Sequence, residues 1–595
     1  MTEEQLLTID PNLTSTDMFP STFTKKDSSP RMPSTNKDLN WVAGTAQENG
    51  RSHDAKIVLP EPKYLSGVNL VIVVTCVIVV AWLMFLDSSI VVTAIPAITD
   101  EFHSLQDIGW YGSAYHVANA AFQPLTGKIY RYFSSKEWSF FAFLILFEIG
   151  SLICGAAPSS MVLIQGRVLA GVGSAGIMSG GLTIIAGSVP LEKRPALMGL
   201  VIGRKSTLHL HLIVSASGSV FGPVLGGVIT QFSTWRWTFY INLPIGGLVL
   251  VFLAWCEIPD QVPKPSPMAV LPKLHTHLDF VGFLFSAAAA VMFLTALELG
   301  GNKYPFNSSI VIGNLCGSVG ALGAFLVWNH RKGDDGLIPP SMAGKRPVWT
   351  AAATNFNLVG SAMIQIYLLP LYFQTVQGAS PAQSGVNILP SILSQLAFAY
   401  GGGLLGSANI SASFTVGKFG FYLPWAAGGT AVTIIASGLF TTLTPTTSIA
   451  QWVGYQVLTG AGRGVVLQLP SIAVQANLPP EQISMGMSFV TFSQFMGSAV
   501  ALAIGNAIFV GALKQELSRH SPDVDVAVVL EAGATGFRKV VSESELSGVL
   551  TAYVSSIDKE FYLSLALAIA SFCFSWGMGW KDVRSKKTGK PDSGP

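Results

Sequence analysis

Three charged residues stand where charge is costly. Asp87 lies inside the apolar stretch LDSSIVVTAIPAITDEF, Leu86 to Phe102. Glu148 sits in the middle of a second apolar run, and Arg167 lies within QGRVLAGVGSAGIMSGG, Gln165 to Gly181. A carboxylate among hydrocarbon must be paired, hydrated or protonated. Arginine cannot shed its charge, so it needs a partner or a route to water. Two kinds of chemistry follow. Asp87 and Glu148 are candidates for binding and releasing a proton, and Asp87 paired with Arg167 would offset the burial cost of both. The structural alternative is plain: Asp87 and Glu148 as hydrogen-bonded clamps between helices, and Arg167 reaching an interface with its head group.

Composition says what must hold these residues. Of 595 residues, 50% are hydrophobic and only 11% are Asp, Glu, Lys or Arg, with a mean hydropathy of +0.49. A soluble domain carries about 25% charged residues. The shortage of charge excludes a soluble enzyme, a nucleic-acid-binding protein and a disordered scaffold. What remains is an all-α polytopic membrane protein. Apolar runs of about 20 residues cross the hydrocarbon layer as helices. Fourteen such runs can be counted between residues 70 and 580. The runs are continuously apolar, not alternating, which excludes a closed β-barrel.

Basic residues orient the spans. With the N-terminus in the cytosol, 26 of the 35 Lys and Arg fall on the cytosolic side and seven outside. Both termini are then cytosolic. Residues 1–66 read as a polar, disordered tail without a signal peptide, because the first apolar run begins near Val68. The expected layout is a first six-helix half over 67–257, an inserted helix pair with its loops over 258–335, a second half over 336–580 and a tail over 581–595. Within the second half, 511–560 reads as an extracellular loop. Asn307-Ser308-Ser309 is a glycosylation sequon on the outer side.

An internal repeat supports the two halves. Leu169, Gly171, Gly173, Pro190 and Glu192 recur 289 residues later as Leu458, Gly460, Gly462, Pro479 and Glu481. The fourth span thus matches the twelfth. An even insertion between the halves keeps both in one orientation, as in transporters built from parallel repeats.

Four strings carry a family resemblance: LDSSIVVTAIPAITDEF, QGRVLAGVGSAGIMSGG, GSVFGPVLGG from Gly218 to Gly227, and WRWTFYINLPIGG from Trp235 to Gly247. Together they resemble the major facilitator superfamily, in its fourteen-span drug:proton antiporter branch, of the fungal toxin and multidrug efflux type. The resemblance covers about residues 64–585. It implies that Gly218, Gly222, Pro223, Gly226 and Gly227 form the antiporter motif that marks exporters. It implies an influence of Arg167 on proton transfer, and close helix packing at Gly171, Gly173 and Gly176. Two departures stand out. GKIYRYFSSKEW lacks the acidic residue of the superfamily's loop motif after the second span. RKSTLHLHLIVS, Arg204 to Ser215, lengthens the approach to the antiporter motif and reads as a retained intron or a misplaced exon boundary.

Polar residues in the spans, Gln123, Asn357, Gln365, Arg463 and Gln468, are candidates to line a substrate cavity. His209 and His211, two apart on a helix, point to different faces and do not make a metal site. No Walker loop is present, so the expected energy source is a proton gradient, with no ATP, metal or other cofactor. The expected partners are a small-molecule substrate, protons and the lipid bilayer, with no nucleic acid and no obligate protein partner. The expected activity is proton-coupled export of apolar or amphipathic small molecules across the plasma membrane. Siderophore carriage, vacuolar transport of basic amino acids, and a receptor or scaffold that no longer transports stand as alternatives.

Overall fold

A computed structural model describes residues 65, 67–132, 139–188, 209–256, 278–400 and 420–582. These residues are helical apart from turns and two isolated bridges, Gly300 with Tyr304 and Phe421 with Asp582. The first-half helices are α1 (Gly67–Phe102), α2 (Ile108–Tyr132), α3 (Phe141–Gly155), α4 (Ser160–Ser188), α5 (His209–Phe232) and α6 (Asn242–Trp255). The inserted pair is α7 (Phe280–Leu299) and α8 (Ser309–Lys332). Then come α9 (Arg346–Thr375), α10 in two pieces (Pro381–Asn387, Leu389–Tyr400) and α11 (Leu423–Phe440). The series ends with α12 in two pieces (Ile449–Val466, Leu469–Asn477), α13 (Pro480–His520) and α14 (Glu543–Ser575).

Among the described residues, ten helices are long and apolar enough to cross a membrane, and Phe141–Gly155 and Gly218–Phe232 are apolar but shorter. The expected count of fourteen is therefore not fully met by length and composition. The shortfall has local causes. α2 buries Ser113, His116, Asn119 and Gln123, which lowers its hydropathy. α10 is interrupted where Pro390 removes the hydrogen bond that would reach Val386. Pro470 breaks α12 in the same way, beyond Val466.

Residues 511–560, read as an extracellular loop with helical stretches, are largely helical. α13 continues to His520 and α14 begins at Glu543, with two short helices between them, Val526–Glu531 and Gly533–Val540. At 41 residues, α13 rises about 60 Å, twice the hydrocarbon thickness of about 30 Å. Leu513 and Leu517 near its C-terminal end stay buried. The expected tails over 1–66 and 581–595 lie almost wholly outside the described residues, as does all of 258–277. So does Arg204 to Leu208 of the unusual insertion; α5 begins at His209.

The packing repeats in the way the glycine repeat requires. In the first half, α4 packs on α2 and α3, and α1 on α5. In the second, the first piece of α12 packs on α10 and α11, and α9 on α13 and α14. Two seams join the halves, α2 against α13 and α5 against the first piece of α10. α7 packs on α2 and α13, beside the first seam, whereas α8 packs chiefly on α7 and leaves Val319 71% exposed.

Candidate functional site

The sequence places Asp87 and Arg167 80 positions apart; the fold brings them into contact. Arg167 Nη1 lies 2.6 Å from Asp87 Oδ2, and both side chains are almost wholly buried. Arg167 Nε donates to the Tyr111 carbonyl at 3.0 Å, and its guanidinium stacks 4.4 Å from the Tyr115 ring. The other carboxylate oxygen of Asp87 accepts from Asn242 Nδ2 at 3.0 Å, and that amide also donates to Ser151 Oγ at 3.0 Å. α1, α2, α3, α4 and α6 thus meet in one polar knot. The pair forms the clamp that the sequence offered as one reading of Asp87. Removing one partner of such a buried pair costs about 3–5 kcal/mol, because the other charge is stranded.

Glu148 of α3 lies nearby, close enough for its charge to interact with that of Asp87. It is buried, and neither carboxylate oxygen has a hydrogen-bond partner. Its carboxyl occupies the space that a side chain on Gly246 of α6 would need. A bare buried carboxylate is expensive when ionised.

The antiporter string builds an interface. Gly218 and Gly226 of α5 press on the backbone of α1 at Trp82 and Ile90, and Gly222 presses on Ser89. Thr93 Oγ1 donates to the Pro223 carbonyl at 3.0 Å. Gly227 faces the Pro381 carbonyl of α10, and Gly385 faces the Pro223 carbonyl in return. A Pro-x-x-x-Gly segment on each helix therefore meets its counterpart across the seam, antiparallel. Gly171 presses on the Tyr115 carbonyl, Gly173 on the Phe147 backbone and Gly176 on the Phe143 ring, which is close packing of the kind expected.

The remaining cavity candidates divide. Gln365 is fully engaged in the second half: its amide donates to Ser437 Oγ and Ser564 Oγ at 3.0 Å and its carbonyl accepts from Thr459 Oγ1 at 2.9 Å. Asn357 Nδ2 donates within its own helix, to the Ala353 carbonyl at 2.8 Å. Gln123 Nε2 donates to Ser179 Oγ at 3.1 Å. Gln468 marks the break in α12 and is half-buried. Arg463 is buried and donates to Ser391 Oγ at 2.6 Å, while Nε and Nη1 have no partner. Asn307 is exposed in the turn before α8.

None of these lines the small internal cavity, of about 20 Å³, between α1, α2, α9, α13 and α14. Its polar wall consists of Tyr367, Asn506 and Glu560. Of these, only Tyr367 stands out in the sequence, as an aromatic that could shape a pocket. Glu560 was hidden in the mixed-charge segment 511–560, and Asn506 is one amide in a small-residue helix. Glu298, buried at the end of α7, and His116 of α2, buried with both ring nitrogens unpartnered, also escape a reading by spacing.

A helical bundle of two matched sets with a polar knot inside one of them is the build of a multi-pass membrane transporter. Residues 77–502 match the family model described as Major Facilitator Superfamily. The chain is 45% identical to the MFS-type transporter pigP of Monascus ruber, over 93% of this chain and 94% of that one. It is 43% identical to the efflux pump mlcE of Penicillium citrinum, over 91% of this chain and 95% of the relative. Its fold is similar to an inward-facing bacterial homologue of the human lysosomal transporter Spinster, with a TM-score of 0.56 at 12% identity, covering 89% of this chain and all of that one. The chain belongs to the major facilitator superfamily. It is a carrier of small molecules and not an enzyme, as the family resemblance implied.

Proposed function

We propose that this protein is a proton-coupled exporter of apolar or amphipathic small molecules, of the secondary-metabolite, toxin or drug kind. The observation that carries the reading is the buried Asp87–Arg167 pair with the bare carboxyl of Glu148 beside it. Protonation of either acid changes the charge of a knot that joins five helices, and so biases how those helices pack. The two halves rock about their seams and open the central space alternately to either side. The antiporter string, seated on both α1 and α10, couples the first half to the second. Relatives whose printed names are efflux pumps, mlcE among them, support the outward direction. We place both termini in the cytosol from the charge bias, place the protein in the plasma membrane from the family resemblance, and assign 67–257 and 336–580 as the halves.

The test is transport by the full chain in sealed proteoliposomes under an imposed pH difference, with an amphipathic dye such as rhodamine 6G as cargo. Wild-type protein accumulates dye against its gradient, and a protonophore abolishes this. Asp87→Asn folds and fails to accumulate it. Normal pumping by that variant dismisses the assignment.

A further inference from the structure

The inserted helix α7 is often the least interesting part of a bundle with an extra pair, yet here it delivers a carboxylate to the seam between halves. Glu298 is fully buried where α7 meets α2 and α13. Its Oε1 accepts from Ser113 Oγ at 2.6 Å and its Oε2 from Asn506 Nδ2 at 3.1 Å. The carboxylate fills the space that a side chain on Gly109 of α2 would need. One residue before Asn506 on α13, Gly505 is a second seat: the space above it is filled by the carboxylate of Glu560, from α14. Adjacent residues of one helix therefore hold two acids from two other helices, and the two acids act on each other electrostatically.

Their hydrogen bonding is unequal. Glu298 has a donor on each oxygen, which suits an anion. Glu560 is 4% exposed, lines the internal cavity and has no hydrogen-bond donor among the described residues. Two further polar atoms near it lack partners, the Tyr367 hydroxyl and Asn506 Oδ1. The rest of that wall is apolar, with Val92, Ile95, Leu371 and Phe509 among it. Nearby charges are committed elsewhere. Asp107, in the turn before α2, pairs with Lys303 Nζ at 2.9 Å and accepts from Ser160 Oγ at 2.6 Å. Lys514 of α13 donates to the Asn302 carbonyl, and Lys559 of α14 pairs with Glu516. Asp558 of α14 acts on Tyr372 of α9, and Tyr111 of α2 is hydrogen-bonded to Ser104 and Ser160. Among the described residues no cation is paired with Glu560.

We propose that Glu298 and Glu560 form a second proton-binding site, on the wall of the central space, with Glu298 the fixed anion and Glu560 the group that takes and yields the proton. Glu560 carries a proton while the space around it is dry and releases it when water or a polar cargo group enters. Tyr367, which also feels the charges of Arg167 and Asp87, stands between this site and the first one. The proposal depends on proton-coupled transport only for its consequence in pumping; the proton site itself is testable without transport.

Dicyclohexylcarbodiimide adds to protonated carboxyls in apolar surroundings, and mass spectrometry of the purified full chain reads the modified peptide. Glu560 in the wild type is labelled at about pH 6 and less at about pH 9. Glu298→Gln removes a neighbouring negative charge, so half-labelling moves to lower pH by about one unit. No labelling of Glu560 across that range, or a half-labelling pH that Glu298→Gln leaves in place, overturns the proposal. In proteoliposomes, Glu560→Gln lowers dye accumulation about tenfold or more, and Glu560→Asp recovers part of it. Accumulation unchanged in Glu560→Gln overturns the site's place in coupling. If the wild type itself accumulates nothing, that failure belongs to the transport assignment, and the labelling result still decides the site.

Discussion

The fourth and twelfth helices share a glycine frame and differ in charge. In α4, Gly171 meets the backbone of the second helix and Gly173 that of the third. In α12, Gly460 meets the tenth helix at the Ser391 carbonyl and Gly462 the eleventh at Gly429 and Thr433. The frame is the same because a backbone approach that tight admits no side chain. The arginines do not follow it. Arg167 is neutralised by Asp87, whereas among the described residues Arg463 meets only a serine hydroxyl. The position 289 residues after Arg167 is Gln456, whose amide donates to the Asn387 carbonyl. The glycine packing recurs in both helices, and the charges do not. The half with a compensated ion pair carries the first proposed proton site; Glu560, the proposed second, belongs to the other half and has no arginine partner of this kind.

The contrast sets the order of expected effects. Arg167→Met strands Asp87 and should cost about 3–5 kcal/mol, read as a large fall in thermal unfolding temperature of the purified protein. A double change, Asp87→Leu with Arg167→Met, should recover most of that loss, since neither charge is then buried alone. Gly171→Ala and Gly460→Ala should each cost about 1–3 kcal/mol, because each added methyl meets a carbonyl that cannot turn away. Similar losses for the two would sharpen the repeat; a loss confined to one would break it. Arg463→Met should be near neutral or mildly stabilising, since it removes a buried cation that has no anion to strand. Ser391→Ala, which takes away that cation's one hydrogen bond, should cost about 1–2 kcal/mol. If Arg463→Met destabilises as much as Arg167→Met does, the asymmetry between halves is wrong.

Much of this was legible from residue types. Asp87 and Arg167 announce themselves because charge in an apolar run is rare and must be compensated, so the pairing followed from cost alone. The glycine repeat gave the two halves and their helix neighbours. Legibility failed where the cue was local contrast. Glu560 is as buried as Asp87, but it lies at the start of an apolar run after a charged stretch, and composition assigned it to water. Glu298 sits one residue from the end of its helix, where an acid usually marks an interface. Gln365 looked like a cavity residue, yet three neighbouring helices satisfy both ends of its amide. Sequence shows that a polar group is inside; only the packing shows whether it faces a partner or a void.

The reciprocal contact of Pro223 and Gly227 with Pro381 and Gly385 has a mechanical meaning. Where main chain rests on main chain, there are no rotamers to unlock and no knobs to lift from holes. A pivot made this way turns with little friction and keeps its alignment, like a bearing whose faces are smooth. Bulky side chains at those four positions would convert it into a ratchet, and the swing of one bundle against the other would stall there first.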